Sequence, residues 1–467
     1  NASVYVEFEA AQTVALLYDV SNPAAPVAVG SFSQSGAHTA SRLRDGRLYV
    51  VSQYTVASTG AVESNRPETF VPLLDGPEGS QIMPPADIHI TPEPSAPTYS
   101  VVTAVDVARR ERLGQEAVLG GSETVYMSDA NLYLASSVYS GPGAVAESGD
   151  LARFPGSEEA FAADAVTRLV RVDLAARGLA VAAEGTVPGT LINQFALDEH
   201  AGRLRLAVTV SGTVPVSSDG DVAGEWADWA ALDVLDLDLR PVGSIPSLVE
   251  GESVQSVRFD GDVGYVVTFK QVDPLFAVDL AEPDNPKVMS ALKIPGFSTY
   301  LHPYADGRLL GLGMDGDAAG GIDGLKLAMF DTSDPFDVTE TAKARIGFDE
   351  SPALANHKAI MVEPGRNLIG FPALGWDRDG FPEASYRGYG YDRAAGFSKR
   401  AELPVSGEKT GYSDGRDYHS DNWDRWQALR GLHAGDFLYV CTPATVQVFE
   451  LDGFGQVAQL VIAEEEW

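Results

Sequence analysis

Residues 253–304, SVQSVRFDGDVGYVVTFKQVDPLFAVDLAEPDNPKVMSALKIPGFSTYLHPY, decide the fold. An apolar run from Val257 to Phe259 meets the turn Asp260-Gly261-Asp262, and a second run, Val263 to Phe269, returns from it. Asp-Gly between β-rich segments is a strong hairpin signal. Turn residues Gln271 to Pro274 lead to a third run, Leu275 to Asp279. A turn from Ala281 to Pro286 then leads to a fourth, Lys287 to Ile294. The result is a four-stranded antiparallel meander of about 40 residues, the size of one propeller blade.

The unit repeats. Its third strand and turn recur as LLYDVSNPAAP (16–26), FAVDLAEPDNP (276–286) and AMFDTSDPFDV (328–338). Each apolar run ends in an aspartate (Asp19, Asp279, Asp331), with a proline four residues later. The carboxylate can accept from the backbone N–H two residues on, and proline removes a donor and stops the strand. Weaker copies stand at 102–108, 169–175, 233–239 and 446–452, and the hairpin recurs from ASRLRDGRLYVVS (40–52) to LRGLHAGDFLYVC (429–441). These repeats predict an all-β chain, a β-propeller of four-stranded antiparallel blades. Blade units fall at about 36–119, 122–187, 192–246, 254–294, 298–346, 356–403 and 427–462, with a partial unit at 3–32 (strands near 3–8, 13–18 and 26–32). Seven complete units plus a partial one favour eight blades; seven with an extra terminal hairpin is the alternative. With no linker, one domain is expected.

Insertions interrupt the units at 55–98, 138–165, 211–228, 314–324 and 373–385, each between a second and a third strand, and at 404–424 between units. In a meander both connections emerge on one rim, so recognition is expected on that loop-rich face. The opposite rim carries tight turns such as Asp45-Gly46.

Composition narrows the partners. The 467 residues carry a formal charge of −33, with 8 lysines against 25 arginines. Such a surface repels nucleic acid and anionic membranes and suits Ca²⁺, cationic polymers or plain solubility. No apolar run reaches membrane-spanning length. The opening NASVYVEFEA lacks the basic start of a signal peptide, so the protein is expected either to be intracellular or to begin after processing. The one cysteine, Cys441, falls on a predicted strand and is expected to be a small buried hydrophobe.

VTFKQVDPLFAVDLAEPDNPKVMSALKIPGFSTYLHPY, with LLYDVSNPAAPVAVGSF and LKLAMFDTSDP, closely resembles the secreted prokaryotic proteins with a C-terminal β-propeller domain distantly related to WD40 repeats. The likeness is strong over 14–52 and 254–371 and weaker over 99–208 and 427–451. It implies the fold and an exported, secreted or cell-envelope location. It assigns no catalytic residue.

Three groups of residues carry candidate chemistry. Asp315, Asp317 and Asp323 sit in one insertion and Asp377 and Asp379 in the next; alternating Asp and Gly lets several oxygens converge on calcium, although no twelve-residue EF-hand loop is present. Solvated turn aspartates are the alternative. His302 and His357 lie on predicted first strands, which line a propeller's channel, with His433 in a similar place. Packed, hydrogen-bonded histidines are the alternative to a metal or acid–base site. Tyr386, Tyr389, Tyr418 and Trp423 stand among carboxylates near the inserted loops, as expected for a surface binding a protein, peptide or carbohydrate. No G-x-S-x-G, H-E-x-x-H, P-loop or G-x-G-x-x-G motif occurs. The sequence therefore favours a binding or scaffold module over its rivals, a hydrolase or lyase working at the channel mouth and a structural envelope component.

Overall fold

The computed structural model describes residues 11–56, 62–77, 79–92, 94, 96–139, 151–153, 160–174, 178–218, 221–269, 273–317, 321–348, 350–376, 382–405 and 427–462. The protein is all-β, and among the described residues its helical elements, apart from Gln427, are 3-10 turns of three residues. The chain groups into two compact units, residues 1–250 and 251–467. Among the described residues each unit holds four sheets of four or five strands, the first unit adding a two-stranded ribbon.

In the second unit the fifth to eighth sheets are plain meanders, strand following strand in chain order. The fifth has Ser253–Asp260, Val263–Phe269, Asp273–Asp279 and Lys287–Ile294, as the deciding stretch predicts. Second strands such as Val263–Phe269 are buried on both faces and so read as unbroken apolar runs. Fourth strands are edges: Thr339–Arg345, TETAKAR, alternates exposed and half-buried positions. The predicted turn chemistry is present. Asp19, Asp279 and Asp331 each accept from the N–H two residues on, at 2.9, 3.0 and 3.1 Å.

A β-bulge recurs near the end of the third strand, before this turn: Leu17/Tyr18, Ala104/Val105, Arg171/Val172, Ala277/Val278, Met329/Phe330, Gly388/Tyr389 and Val448/Phe449. Each bulge adds twist where the strand leaves its sheet. Bulge and Asp turn together mark Gln12–Asp19 and Val27–Ser35 as the third and fourth strands of a blade. The first sheet completes itself unexpectedly, adding Leu73–Gly76 and Gly79–Ile82 from the 55–98 insertion beyond Val27–Ser35. The strand expected at 3–8 lies outside the described residues.

Two of the insertions, 55–98 and 211–228, thus build sheet. Besides that hairpin, 55–98 supplies Ile88–Ile90, a fifth strand parallel to Glu111–Leu119 of the second sheet. The 211–228 insertion is a continuation of two long paired strands, Arg203–Ser218 and Asp221–Leu235. Within each unit, neighbouring sheets pack face to face through apolar layers. One layer joins the third and fourth sheets around Tyr133, Leu206 and Trp229, and another the fifth and sixth around Tyr265, Leu301 and Phe330.

Candidate functional site

Burial decides the aromatic candidates. Tyr386 is fully buried between the seventh and eighth sheets among Leu368, Leu403 and Leu438. Its ring needs two glycines: a Cβ at Gly431 would stand 2.0 Å from its hydroxyl, and one at Gly370 2.4 Å. Tyr389 is buried as well and stacks on Phe371 with ring centroids 5.9 Å apart. Neither can serve as a surface anchor, because the strand Pro382–Asp392 turns both rings into packed layers. Tyr418 and Trp423 lie outside the described residues.

Charge pairing decides the aspartates. Asp315, fully buried, faces Lys343 Nζ at 3.0 Å and Arg345 Nε at 2.5 Å; Asp323 meets Arg345 Nη1 at 2.7 Å. Burial pushes the Asp315 carboxyl up, but Lys343 and Arg345 outweigh it and hold the group below the usual carboxylate range. Asp317 Oδ1 accepts the Gly321 N–H at 2.8 Å, closing its own turn. The expected calcium cradle is therefore an internal ion-pair network, since a cation there would have to displace two others. Asp377 and Asp379 lie outside the described residues. Among the described residues no group of three or more His, Cys, Asp or Glu side chains could hold a metal ion.

The histidines are dispersed. His302 is on a first strand, Phe297–Ala305, where its Nδ1 is 2.9 Å from the Tyr300 hydroxyl. Burial, and secondarily the charge of Arg258, pushes its pKa down to about 4, so it is neutral at physiological pH. His357 is not on a strand; it opens a 3-10 turn ahead of Met361–Glu363. His433 Nε2 pairs with Glu363 at 2.9 Å.

Polar groups converge elsewhere. The hairpin Leu73–Ile82 and the turn Pro85–Asp87 wall a cleft of about 610 Å³ against the strand Glu111–Leu119 of the second sheet. Phe32, Gln81, Asp87, Arg110, Arg112 and Gln115 are among its lining. Gln115 Nε2 donates to Asp87 Oδ2 at 2.8 Å, and Arg112 Nη2 donates to the Asp75 carbonyl at 2.7 Å. Arg110 sits at φ +61°, a left-handed turn conformation that costs a non-glycine residue about 1–2 kcal/mol. Glu116, on the same strand and only 7% exposed, makes no hydrogen bond or ion pair with the described residues. Burial, with the nearby charge of Asp87, pushes its carboxyl up to about 7. Sequence reasoning missed this cleft because its partners come from chain segments some 30–80 residues apart, and nothing in 55–98 resembles a regular strand pattern.

Comparison with known proteins agrees with this architecture. An uncharacterized protein of Archaeoglobus fulgidus is 31% identical over 306 residues, which is 65% of this chain and 40% of that protein. An uncharacterized protein of Methanocaldococcus jannaschii is 37% identical over 196 residues, 40% of this chain and 28% of that one. The chain thus spans well under half the length of these curated relatives. The solved periplasmic gluconolactonase of Pseudomonas aeruginosa overlaps 77% of this chain and 91% of its own at 13% identity and a TM-score of 0.35, too low to carry an inference. Residues 2–454 match the family described as beta propeller domain. With that match spanning nearly the whole chain of four-stranded meanders, the protein belongs to the beta propeller domain family.

Proposed function

We propose that this propeller is an exported binding module that receives a protein, peptide or carbohydrate ligand in the cleft built by its 55–98 insertion. The observation that carries the reading is the insertion's fold: it closes a wall of a ligand-sized cleft around one aromatic ring and several charged and amide side chains. Clefts of a few hundred Å³ with a few convergent polar groups are the usual form of binding sites. Export rests on the family resemblance. No described helix is long and apolar enough to cross a membrane.

Gln81 is exposed at the cleft, on the inserted hairpin, so a bulky residue there fills the opening without touching the core. Glycan and peptide arrays probed with the full chain should return a set of ligands that Gln81→Trp no longer binds. Arrays left empty by the wild type, or the same set bound by both proteins, contradict the proposal.

A hydrolase or lyase is the second reading: burial, and secondarily the charge of Asp87, pushes the Glu116 carboxyl up to about 7, in the range that general acid–base chemistry uses. Turnover of chromogenic esters or glycosides that disappears in Glu116→Gln would select this reading.

A further inference from the structure

A second cleft, of about 600 Å³, opens where the first-strand hairpins of the second, third and fourth sheets meet. Its charges come from three elements: Arg42 and Arg44 end the strand Ala37–Arg44, Asp129 is in the turn after Thr124–Met127, and Glu199 is near the end of Leu197–His200. One pair is closed, since Arg44 Nη1 meets Asp129 at 2.7 Å. The other two charges are not.

Among the described residues Glu199 is held by neutral donors alone. Its Oε2 accepts from Ser128 Oγ at 2.6 Å, Tyr133 Oη at 2.8 Å and Asn131 Nδ2 at 2.9 Å. Its backbone N–H donates to the Tyr126 hydroxyl oxygen at 2.9 Å. Burial, and next the bond to Glu199, pushes the Tyr133 phenol up, so Tyr133 stays a donor. Three donors saturate one carboxylate oxygen and fix its orientation; Oε1 has no partner among the described residues. Arg42 is held the same way. Its Nη1 donates to the Ser41 carbonyl and its Nη2 to Gln194 Oε1, both at 2.8 Å, and no described carboxylate answers it. Arg42 and Glu199 form no ion pair with each other: Arg42 is held by Ser41 and Gln194, and Glu199 by residues of the third sheet. Tyr126 lines the same space, and an aromatic face attracts an ammonium group.

An anion and a cation, each fixed by uncharged partners and each without a counter-charge among the described residues, face one cleft. Leaving a partly buried charge unanswered is costly unless something else supplies the opposite charge. We propose that this cleft binds a small zwitterion of the amino-acid type, its ammonium at Glu199 and its carboxylate at Arg42. The site is independent of the insertion-built cleft, and either can fail alone.

The test is calorimetric titration of the full chain with glycine and a series of ω-amino acids of increasing methylene length. Acetate and the matching alkylammonium ions serve as singly charged controls. One chain length should bind best, each control should bind at least about tenfold more weakly, and added salt should weaken binding. Glu199→Gln and Arg42→Gln should each cost about tenfold or more. Glu199→Gln keeps an acceptor for its three donors, so its melting temperature should stay close to wild type and show that any lost binding is not lost folding. The proposal is overturned if no zwitterion binds at about 10 mM, if the controls match the zwitterion, or if Glu199→Gln binds like the wild type.

Discussion

Asp315 in the second unit and Glu116 in the first are both buried acids on strands, 0% and 7% exposed, yet they exist in different states. Asp315 is met by Lys343 and Arg345 and stays ionised well below the usual range. Glu116 meets no described cation, feels Asp87 nearby, and holds its proton up to about pH 7. Burial penalises a charge in both places, and what differs is whether the fold supplies the opposite charge. Glu199 is a third case, a carboxyl group met by neutral donors among the described residues. An acidic residue in a sequence therefore says little until its answering groups are known, and those come from other strands and often other sheets.

The largest effect expected from this contrast is on pH dependence. Glu116 titrates at about 7 when folded against 4.5 as the ordinary value, so the folded state binds the extra proton between those pH values. Its contribution, about 3 kcal/mol, is fully present below pH 4.5 and disappears as pH rises through 7. Denaturant unfolding of Glu116→Gln should lack that decline and exceed the wild type at pH 8; equal slopes would mean that Glu116 is answered after all.

His302 works in the opposite direction. Its folded pKa of about 4, against 6.5, contributes about 3 kcal/mol that is present above pH 6.5 and lost as pH falls through 4. In the wild type the two trends offset each other between about pH 4.5 and 6.5. Replacing His302 by Gln should therefore expose the Glu116 trend across that window, and an unchanged profile would remove His302 from the comparison.

Removing the answered acid should cost less. Asp315→Ala leaves two cations that are themselves partly exposed, so a loss of about 2 kcal/mol is expected in the melting curve. The smallest effect belongs to calcium: excess chelator should leave the melting temperature where it is. A drop would show an ion held by the native state and would reopen the reading of Asp315, Asp317 and Asp323 as ligands.

How much of this was legible in the chain follows from the range of each interaction. The Asp-x-x-x-Pro turn was readable because its hydrogen bond spans two residues, and the fold follows from its repetition. The bulge beside it was not, since no residue type marks it. Tyr386 and Tyr389 looked like surface aromatics because a ring's identity carries no record of the glycines and leucines around it; Gly431 lies 45 residues away from Tyr386. The 211–228 insertion looked like a loop because SGTVPVSSDGDV contains turn residues, yet its strands simply continue in register. Glu199 is not legible in the sequence because its donors, Ser128, Asn131 and Tyr133, belong to a neighbouring sheet.

The central claim is that carboxylates answered within the chain are structural and those left open are for recognition. A paired experiment on Asp315→Asn and Glu199→Gln tests it most directly, measuring melting temperature and zwitterion binding on the same samples. The account predicts that Asp315→Asn melts lower and binds like the wild type, while Glu199→Gln melts like the wild type and fails to bind. If both variants lose stability and binding together, or if Glu199→Gln loses only stability, the distinction between the two kinds of carboxylate is wrong.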